Sequence, residues 1–414
     1  MVVKAHRRLV PAVIVPDIGA WAMWGRDLRA LGFRAASAPQ HAELMIAPAR
    51  VPQALDEAIS AAWARMPPPR RHVALGDELA DGAQLAVVLA EVRHGHEPDP
   101  GEGDHGDMDD GDMMAITGEP SADGLVMEAA DVELGPLSSP LPGGLVVNAS
   151  LDGDVVATCK VRALLRASAS SHALDPLTPA AWSAAHAIAR GESGGWGPRL
   201  AAVEVERALS HLVWLGRMSA VLGWPQLTTQ TQQAVSAVLA VKRGLPAAAR
   251  PAQRVAELLD GSRRLGSRTR GVAVVGAKEA ARRGLGGPDA RASGLVVDAR
   301  AGEPCYAAAG FEVVVAQDGD AQARVLVRAR EAVQALRLAD RLCDEDPPAP
   351  ARIEGPRGCV RVSPAPGGRG RVRHQAPDPT AAFAVCAELA VGLPWSRALV
   401  ALASFDLSPW RVES

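Results

Sequence analysis

Between residues 271 and 342 the chain alternates tight backbone punctuation with regularly spaced charge, and this restricts its fold more than any other feature. Gly286-Gly287-Pro288 reads as a turn, Ser293-Gly294 and Gly319-Asp320 add further glycine punctuation, and Pro304 stands just before Tyr306, the only tyrosine. Residues 321–343 read as one long helix that ends before Pro347-Pro348, because proline neither continues a helix nor tolerates a helical predecessor. Arg324, Arg328 and Glu331 fall at helical spacing on one face of it, with Arg337 further along. Asp298 and Arg300 sit at alternate positions, as on one side of a strand, and residues 311–315 read as a second strand. Bidentate arginine–carboxylate bonds involving these residues, Arg291 and Asp320 would pin the strand-and-turn region to the long helix as a scaffold network.

Two flanking segments carry the same kind of charge. Residues 203–215 read as a helix bearing Glu204, Glu206, Arg207, Ser210 and His211, with His211 one turn beyond Arg207. Such a helix can line a proton path or substrate cavity, or it can hold a buried ion pair and a satisfied histidine. The cost of unpaired buried charge favours the second. Downstream, Glu354-Gly355-Pro356-Arg357-Gly358 reads as a turn that docks on the same network.

At 414 residues the chain can hold two or three cores. Residues 1–92 alternate strand and helix: strands at 10–15, 42–47, 72–75 and 84–89, helices at 21–31 and 52–66, the last stopped by Pro67-Pro68-Pro69. This is a small α/β unit of flavodoxin-like type. Residues 93–124 turn to His, Asp, Gly and Met, with no Lys or Arg between Arg93 and Lys160, and are expected to be a flexible acidic linker. His94, His96 and His105 within it are candidate ligands for a divalent ion, though its glycines pre-organise nothing and a solvated tether is the favoured reading. Residues 125–414 open with a β-hairpin about the Asp152-Gly153 turn and continue as helices at 177–190, 200–222, 229–243, 254–260, 278–283 and 381–393. The whole is α+β.

A net charge of −3 argues against a nucleic-acid surface. No apolar run reaches the roughly 20 residues of a membrane helix, so the expected location is cytoplasmic, or on a membrane through partners. Five cysteines are scattered without a C-x-x-C pair and read as reduced thiols.

The 271–342 stretch, with the Glu204–His211 helix and the E-G-P-R-G turn, resembles the D subunit of respiratory complex I and the related large subunits of membrane-bound group 4 nickel–iron hydrogenases. The N-terminal unit is similar to the B subunit of complex I, or a hydrogenase small subunit, through residues 37–46, 66–70 and Gly76. The resemblance implies a fusion of two subunits of one peripheral arm. In the small-subunit family, cysteines near Gly19-Ala20 and at Glu78 would hold a 4Fe–4S cluster, yet no cysteine precedes Cys159. In the hydrogenases, two C-x-x-C pairs hold nickel and iron. The second pair would fall at Ser404 to Arg411, where Asp406 and serines stand, and the first between the hairpin and the Glu206 helix, where there is no cysteine. Neither a nickel–iron centre nor a 4Fe–4S cluster is expected, because soft metals want thiolate ligands.

The D subunit of complex I instead binds a quinone headgroup at a hairpin loop G-P-Q-H-P-x-x-H-G. Here the loop reads Gly135-Pro136-Leu137-Ser138-Ser139-Pro140-Leu141-Pro142-Gly143, and Ser138 and Pro142 replace the two histidines. Serine donates a hydrogen bond but cannot supply the proton of quinone reduction near neutral pH. The expected role is therefore that of a redox-silent structural or coupling component next to antiporter-like membrane subunits. Two alternatives stay open: an NADH:quinone oxidoreductase-like subunit whose quinone or small-molecule pocket uses Ser138, Arg291 and Asp406, with NAD binding also implied by that resemblance, and a metal-sensing interaction protein acting through the linker histidines.

Overall fold

A computed structural model describes residues 9–36, 38–48, 51, 53–68, 70–75, 129–137, 141–167, 178–240, 246–364, 370–374 and 379–412. The chain opens with β1 (Val10–Ile14), α1 (Ile18–Met23), β2 (Phe33–Ala35), β3 (Leu44–Pro48), α2 (Asp56–Ala64) and β4 (Arg71–Leu75). The strands form one parallel sheet in the order β2-β1-β3-β4, with Val13 opposite Met45. β1 and β3 are almost continuously apolar and buried, as the inner strands of a parallel sheet must be. The 21–31 helix is corrected: α1 stops at Met23 because Gly25 follows in the left-handed conformation, φ 77°. Leu28 still reaches the core from the turns beyond it. The expected strand at 84–89, the linker and its His94, His96 and His105 lie outside the described residues.

β5 (Ala130–Leu134), β6 (Leu145–Asp152) and β7 (Val155–Ala163) make an antiparallel sheet, and Gly153 at φ 61° turns β6 into β7 where Asp152-Gly153 placed the hairpin. β8 (Leu165–Ala167) follows. Then come α3 (Pro179–Ala189), α4 (Trp196–Val221), α5 (Pro225–Ala240), α6 (Pro246–Leu259), α7 (Arg263–Thr269), α8 (Ala277–Arg282), α9 (Gly287–Ala292), α10 (Pro304–Ala308) and α11 (Ala321–Leu342). The chain closes with β9 (Ile353–Gly355), β10 (Gly358–Pro364), β11 (Gly370–His374), α12 (Pro379–Ala390), α13 (Trp395–Ser404) and β12 (Trp410–Val412), which pairs in parallel with β8.

The core is organised about α4 and α11, which cross closely where they begin and end. A Cβ at Gly197, early in α4, would stand 1.8 Å from the carbonyl oxygen of Glu345, just past α11, so only glycine fits there. Leu209, Leu212, Val213, Leu215, Val325, Ala329, Ala332 and Leu336 from the two helices share one cluster with residues of α5, α6, α12 and α13. α6 is longer than the segment expected at 254–260 although Pro251 lies inside it. Ala248, Ala252, Val255 and Leu259 bury one stripe at helical spacing, and that burial outweighs the missing hydrogen bond.

Two more expectations change. Residues 311–315 join no sheet; Gln334 donates to the carbonyl of Glu312 at 2.7 Å and the amide of Ala316 to that of Arg291 at 3.1 Å. Asp298 and Arg300 lie on no strand: Asp298 caps a short 3-10 turn over Ala299–Gly302 and Arg300 folds back on it. The E-G-P-R-G turn is the two-residue tip of a hairpin, β9 to β10, which β11 extends to three strands. Among the described residues, no helix is long and apolar enough to cross a membrane.

Candidate functional site

Part of the charged set singled out in the sequence converges: Arg207, His211, Arg291, Asp298, Arg300, Glu331 and Glu354 meet at a seam between α4, α11, α9, the 3-10 turn and the β9–β10 hairpin. The spacing along the helices explains how. His211 on α4 meets Glu331 on α11 at 3.0 Å, and one turn on, Trp214 lies under the guanidinium of Arg328, 4.3 Å from its ring centroid. The residue number rises on one helix as it falls on the other, so the helices are antiparallel and present matched rungs.

Arg291, carried in by α9, donates from Nε to Glu331 Oε1 at 2.6 Å and from Nη2 to Oε2 at 3.0 Å. Its Nη1 faces Asp298 at 3.1 Å, Glu354 at 3.3 Å and the carbonyl of Val297 at 3.1 Å. Arg300 grips Asp298 through Nε at 2.9 Å and Nη2 at 2.7 Å, and its Nη1 reaches Glu204 at 3.0 Å. Glu204 also accepts from Arg207 Nε at 3.1 Å and the Tyr306 hydroxyl at 2.9 Å, and Arg207 donates onward to the carbonyls of Glu354 and Gly355. All of these side chains are buried.

Three guanidiniums here face four carboxylates, and the imbalance shows in their acidity. Burial raises Glu331, but the charge of Arg291 and the hydrogen bonds of His211 and Arg291 outweigh it and hold its pKa well below the usual range. Asp298 is held down in the same way by Arg300 and Arg291 against its burial. Glu354 is pushed up, by burial first and then by neighbouring Asp298.

The other residues of the expected network form separate groups. Glu206 caps α3, accepting from the amides of Ala180 at 2.6 Å and Ala181 at 3.1 Å. Asp320 caps α11 through Ala323 N at 2.8 Å and takes Gly271 N on its other oxygen at 2.8 Å. Arg324 is fully buried and donates to Ser404 Oγ at 3.1 Å and to the carbonyls of Gly319 and Ala273, under the ring of Phe405. Burial lowers its pKa to about 10. Arg328 pairs with Asp289 at 2.9 Å, and Arg357 with Asp406 at 3.3 Å. Arg337 lies on the solvent face of α11, bonded to Gln253.

The motif glycines now have a physical reason. Gly287 of the G-G-P turn sits at φ 55°, and a Cβ there would meet the Arg357 carbonyl oxygen at 2.5 Å. The turn and the hairpin tip are therefore two halves of one contact.

A cleft of about 720 Å³ opens between the N-terminal sheet and the β5–β6 hairpin, lined among others by Ala12, Asp17, Glu133, Leu137, Arg162 and Arg217. Of the pocket candidates, Ser138 lies outside the described residues, while Arg291 is buried, the side chain of Asp406 is only 4% exposed, and neither lines this cleft.

Asp17 and Arg217 fasten the sheet to the helices, a contact the sequence reading missed. Asp17 accepts from Gly19 N at 2.7 Å and Ala20 N at 3.1 Å as the cap of α1, from Arg217 at 2.7 Å and from Gly143 N at 2.7 Å. Burial raises its pKa, but Arg217 and the amides prevail and lower it. Its contribution to stability is thus complete above the ordinary value near 3.8 and disappears as the pH falls through the lower folded value. Asp17→Ala is expected to remove this acid-sensitive step and to cost roughly 0.5–2 kcal/mol for the cap alone. Thermal melts of both proteins from neutral to acid pH check it: the difference should close in acid, and a constant difference would dismiss the latch.

The resident metals of the resembling hydrogenases do not fit these residues. Beside the C-terminal segment stand guanidinium, hydroxyl and carboxylate groups, those of Arg324, Ser404, Arg357 and Asp406. Burial pushes the Cys386 thiol far up and that of Cys159 to about 11, away from the thiolate a soft metal binds.

Residues 231–383 match the family described as the respiratory-chain NADH dehydrogenase 49 Kd subunit. The D 2 subunit of NADH-quinone oxidoreductase from Sinorhizobium medicae is 36% identical over 101 residues, 24% of this chain and 25% of that protein. The D subunit of the same enzyme from Syntrophobacter fumaroxidans is 38% identical over 102 residues, 22% of this chain and 27% of that protein. The chain thus spans about a quarter of the length of the curated relatives it matches. Among solved structures, a chain of the membrane-bound sulfane sulfur reductase, an archaeal respiratory membrane complex, superposes with a TM-score of 0.56 at 20% identity, covering 68% of this chain and 97% of its own. In the sequence of its 231–383 region the chain resembles the D subunit of NADH-quinone oxidoreductase, and in fold it resembles a chain of the membrane-bound sulfane sulfur reductase.

Proposed function

We propose that this chain is a redox-silent subunit of the peripheral arm of a membrane-bound complex I-like or group 4 hydrogenase-like assembly, on its cytoplasmic face, with a structural or coupling role beside antiporter-like membrane subunits. One observation carries the reading. At the C-terminal segment where the resembling enzymes need sulfur donors, Arg324 bonds Ser404 and Arg357 pairs with Asp406, within a core cross-braced by the Glu331–Arg291–Asp298–Arg300–Glu204 network. That supports the reading, because guanidinium, hydroxyl and carboxylate groups are poor ligands for the soft metals of an electron carrier.

The strand order β2-β1-β3-β4 matches the start of a flavodoxin-like sheet. That supports reading residues 1–92 as a domain like the B subunit of complex I, joined through a 93–124 linker to a domain like the D subunit at 125–414. Fusion would hold two docking partners at high effective concentration. Isolation of the complex from native membranes tests the role: antiporter-like subunits should co-purify, and the purified chain should carry no stoichiometric iron or nickel and no paramagnetic signal. A bound cluster would sink the redox-silent reading.

The 720 Å³ cleft favours a second reading, an oxidoreductase subunit with a quinone or small-molecule pocket, because sheet and hairpin both line it. A photoreactive quinone analogue decides between the two. Saturable labelling of residues 133–137 or Arg217 would support a pocket, and none would leave the structural role.

A further inference from the structure

Two fully buried residues of the α4–α11 seam have polar atoms without a hydrogen-bond partner among the described residues: Nδ1 of His211, and Nε and Nη1 of Arg328. They are neighbours, since His211 faces Glu331 and the next rung is Trp214 under Arg328. Asp406 completes the group. It follows Phe405, whose carbonyl accepts from Trp214 Nε1 at 3.4 Å on the Arg328 rung, and its Oδ2, 3.3 Å from Arg357 Nε, accepts no hydrogen bond among the described residues. A buried donor or acceptor left unpaired costs about 1–3 kcal/mol, so three residues sharing one such spot point to an occupant.

Hydrogen-bond polarity says what the occupant is. Glu331 is gripped twice by Arg291 and stays ionised, so the His211 nitrogen facing it, Nε2, must carry the hydrogen. Burial lowers the pKa of His211, Glu331 opposes it, and Arg328 and Arg207 add to the lowering, so the ring is neutral. Nδ1 is then a bare acceptor. The occupant has to donate to Nδ1 and accept from Arg328. A simple anion cannot donate, and a cation is repelled by the guanidinium. Water does both, and its second hydrogen is free for Asp406.

We propose that a structural water bridges Arg328, His211 and Asp406, fixing His211 as the neutral Nε2–H tautomer and tying the C-terminal segment to the α4–α11 seam. The proposal stands on this geometry and not on the role proposed above.

Nitrogen NMR of the full chain with labelled histidine tests it, His211 being assigned by loss of its signals in His211→Gln. Across about pH 5–8, the window in which an ordinary histidine titrates, His211 should not titrate. Its Nε2 should carry the hydrogen, Nδ1 should resonate as an unprotonated nitrogen that accepts a hydrogen bond, and the ring should show cross-relaxation from water. In Arg328→Met, Nδ1 should move towards the position of an unbonded nitrogen while Nε2–H persists. If that variant does not fold, the wild-type signals decide alone. An Nδ1 that bears the hydrogen, one that is unbonded in the wild type, or one that shifts on adding chloride or phosphate would overturn the assignment.

Discussion

Replacing Arg291 with alanine is expected to be the most damaging single substitution in the protein. Arg291 is fully buried and neutralises Glu331, Asp298 and Glu354 at once. Its removal leaves buried carboxylates facing one another without their shared cation. Breaking a buried pair from one side costs about 3–5 kcal/mol, and here three partners lose the same ion. Against a typical total of about 5–15 kcal/mol, the variant should sit near the edge of folding. Arg291→Lys should rescue little, because an ammonium cannot make the two parallel bonds to Glu331 and still reach Asp298 and Glu354. Urea unfolding followed by circular dichroism checks both, read from the midpoint with the slope unchanged. A midpoint for Arg291→Ala within error of wild type would remove the network from the account of this fold.

Much of that network was legible before any coordinates. Long helices announce themselves through spacing, so the pairing of Arg324, Arg328 and Glu331 with one face of α11 needed only the period of a helix. The hairpin at Asp152-Gly153 was equally plain, because the turn chemistry and the alternation agree. What failed was local geometry that depends on distant partners. Asp298 and Arg300 have the spacing of a strand, yet Arg300 turns back to chelate Asp298 because Glu204, nearly a hundred positions earlier, waits on its other side. Residues 311–315 are apolar enough for a strand but meet no strand edge. Pro251 hid the first half of α6, whose stability comes from a buried stripe rather than from propensity. Arg337 shares a helix with Arg328 and Glu331 and nevertheless faces solvent, a matter of one residue in the helical phase. The latch between Asp17 and Arg217 could not be read at all, since nothing in either segment names the other.

Glu204 is the residue whose weight the sequence most understated, and the second large effect is expected there. It is fully buried and serves Arg207, Arg300 and the Tyr306 hydroxyl with its two oxygens. Glu204→Gln keeps the volume but removes the charge, leaving two guanidiniums side by side and one hydroxyl competing for a single carbonyl oxygen. The expected cost is about 3–5 kcal/mol, the range for uncompensated buried charge. A second substitution makes the test sharper. In Glu204→Gln with Arg300→Met, one of the two cations that Glu204 serves is gone, Asp298 keeps Arg291 at 3.1 Å, and Arg207 keeps the carbonyls of Glu354 and Gly355. The double variant should therefore lose less than the sum of the two single losses, by about 0.5–3 kcal/mol, the coupling typical of residues in one network. Strict additivity would mean that Glu204 and Arg300 contribute independently and that the hub does not exist. A double variant as stable as wild type would show instead that ionic bracing of this seam is replaceable by packing, as buried ion pairs elsewhere often are. The bracing would then have to be explained by what the seam does under load in an assembly rather than by the stability of the isolated chain.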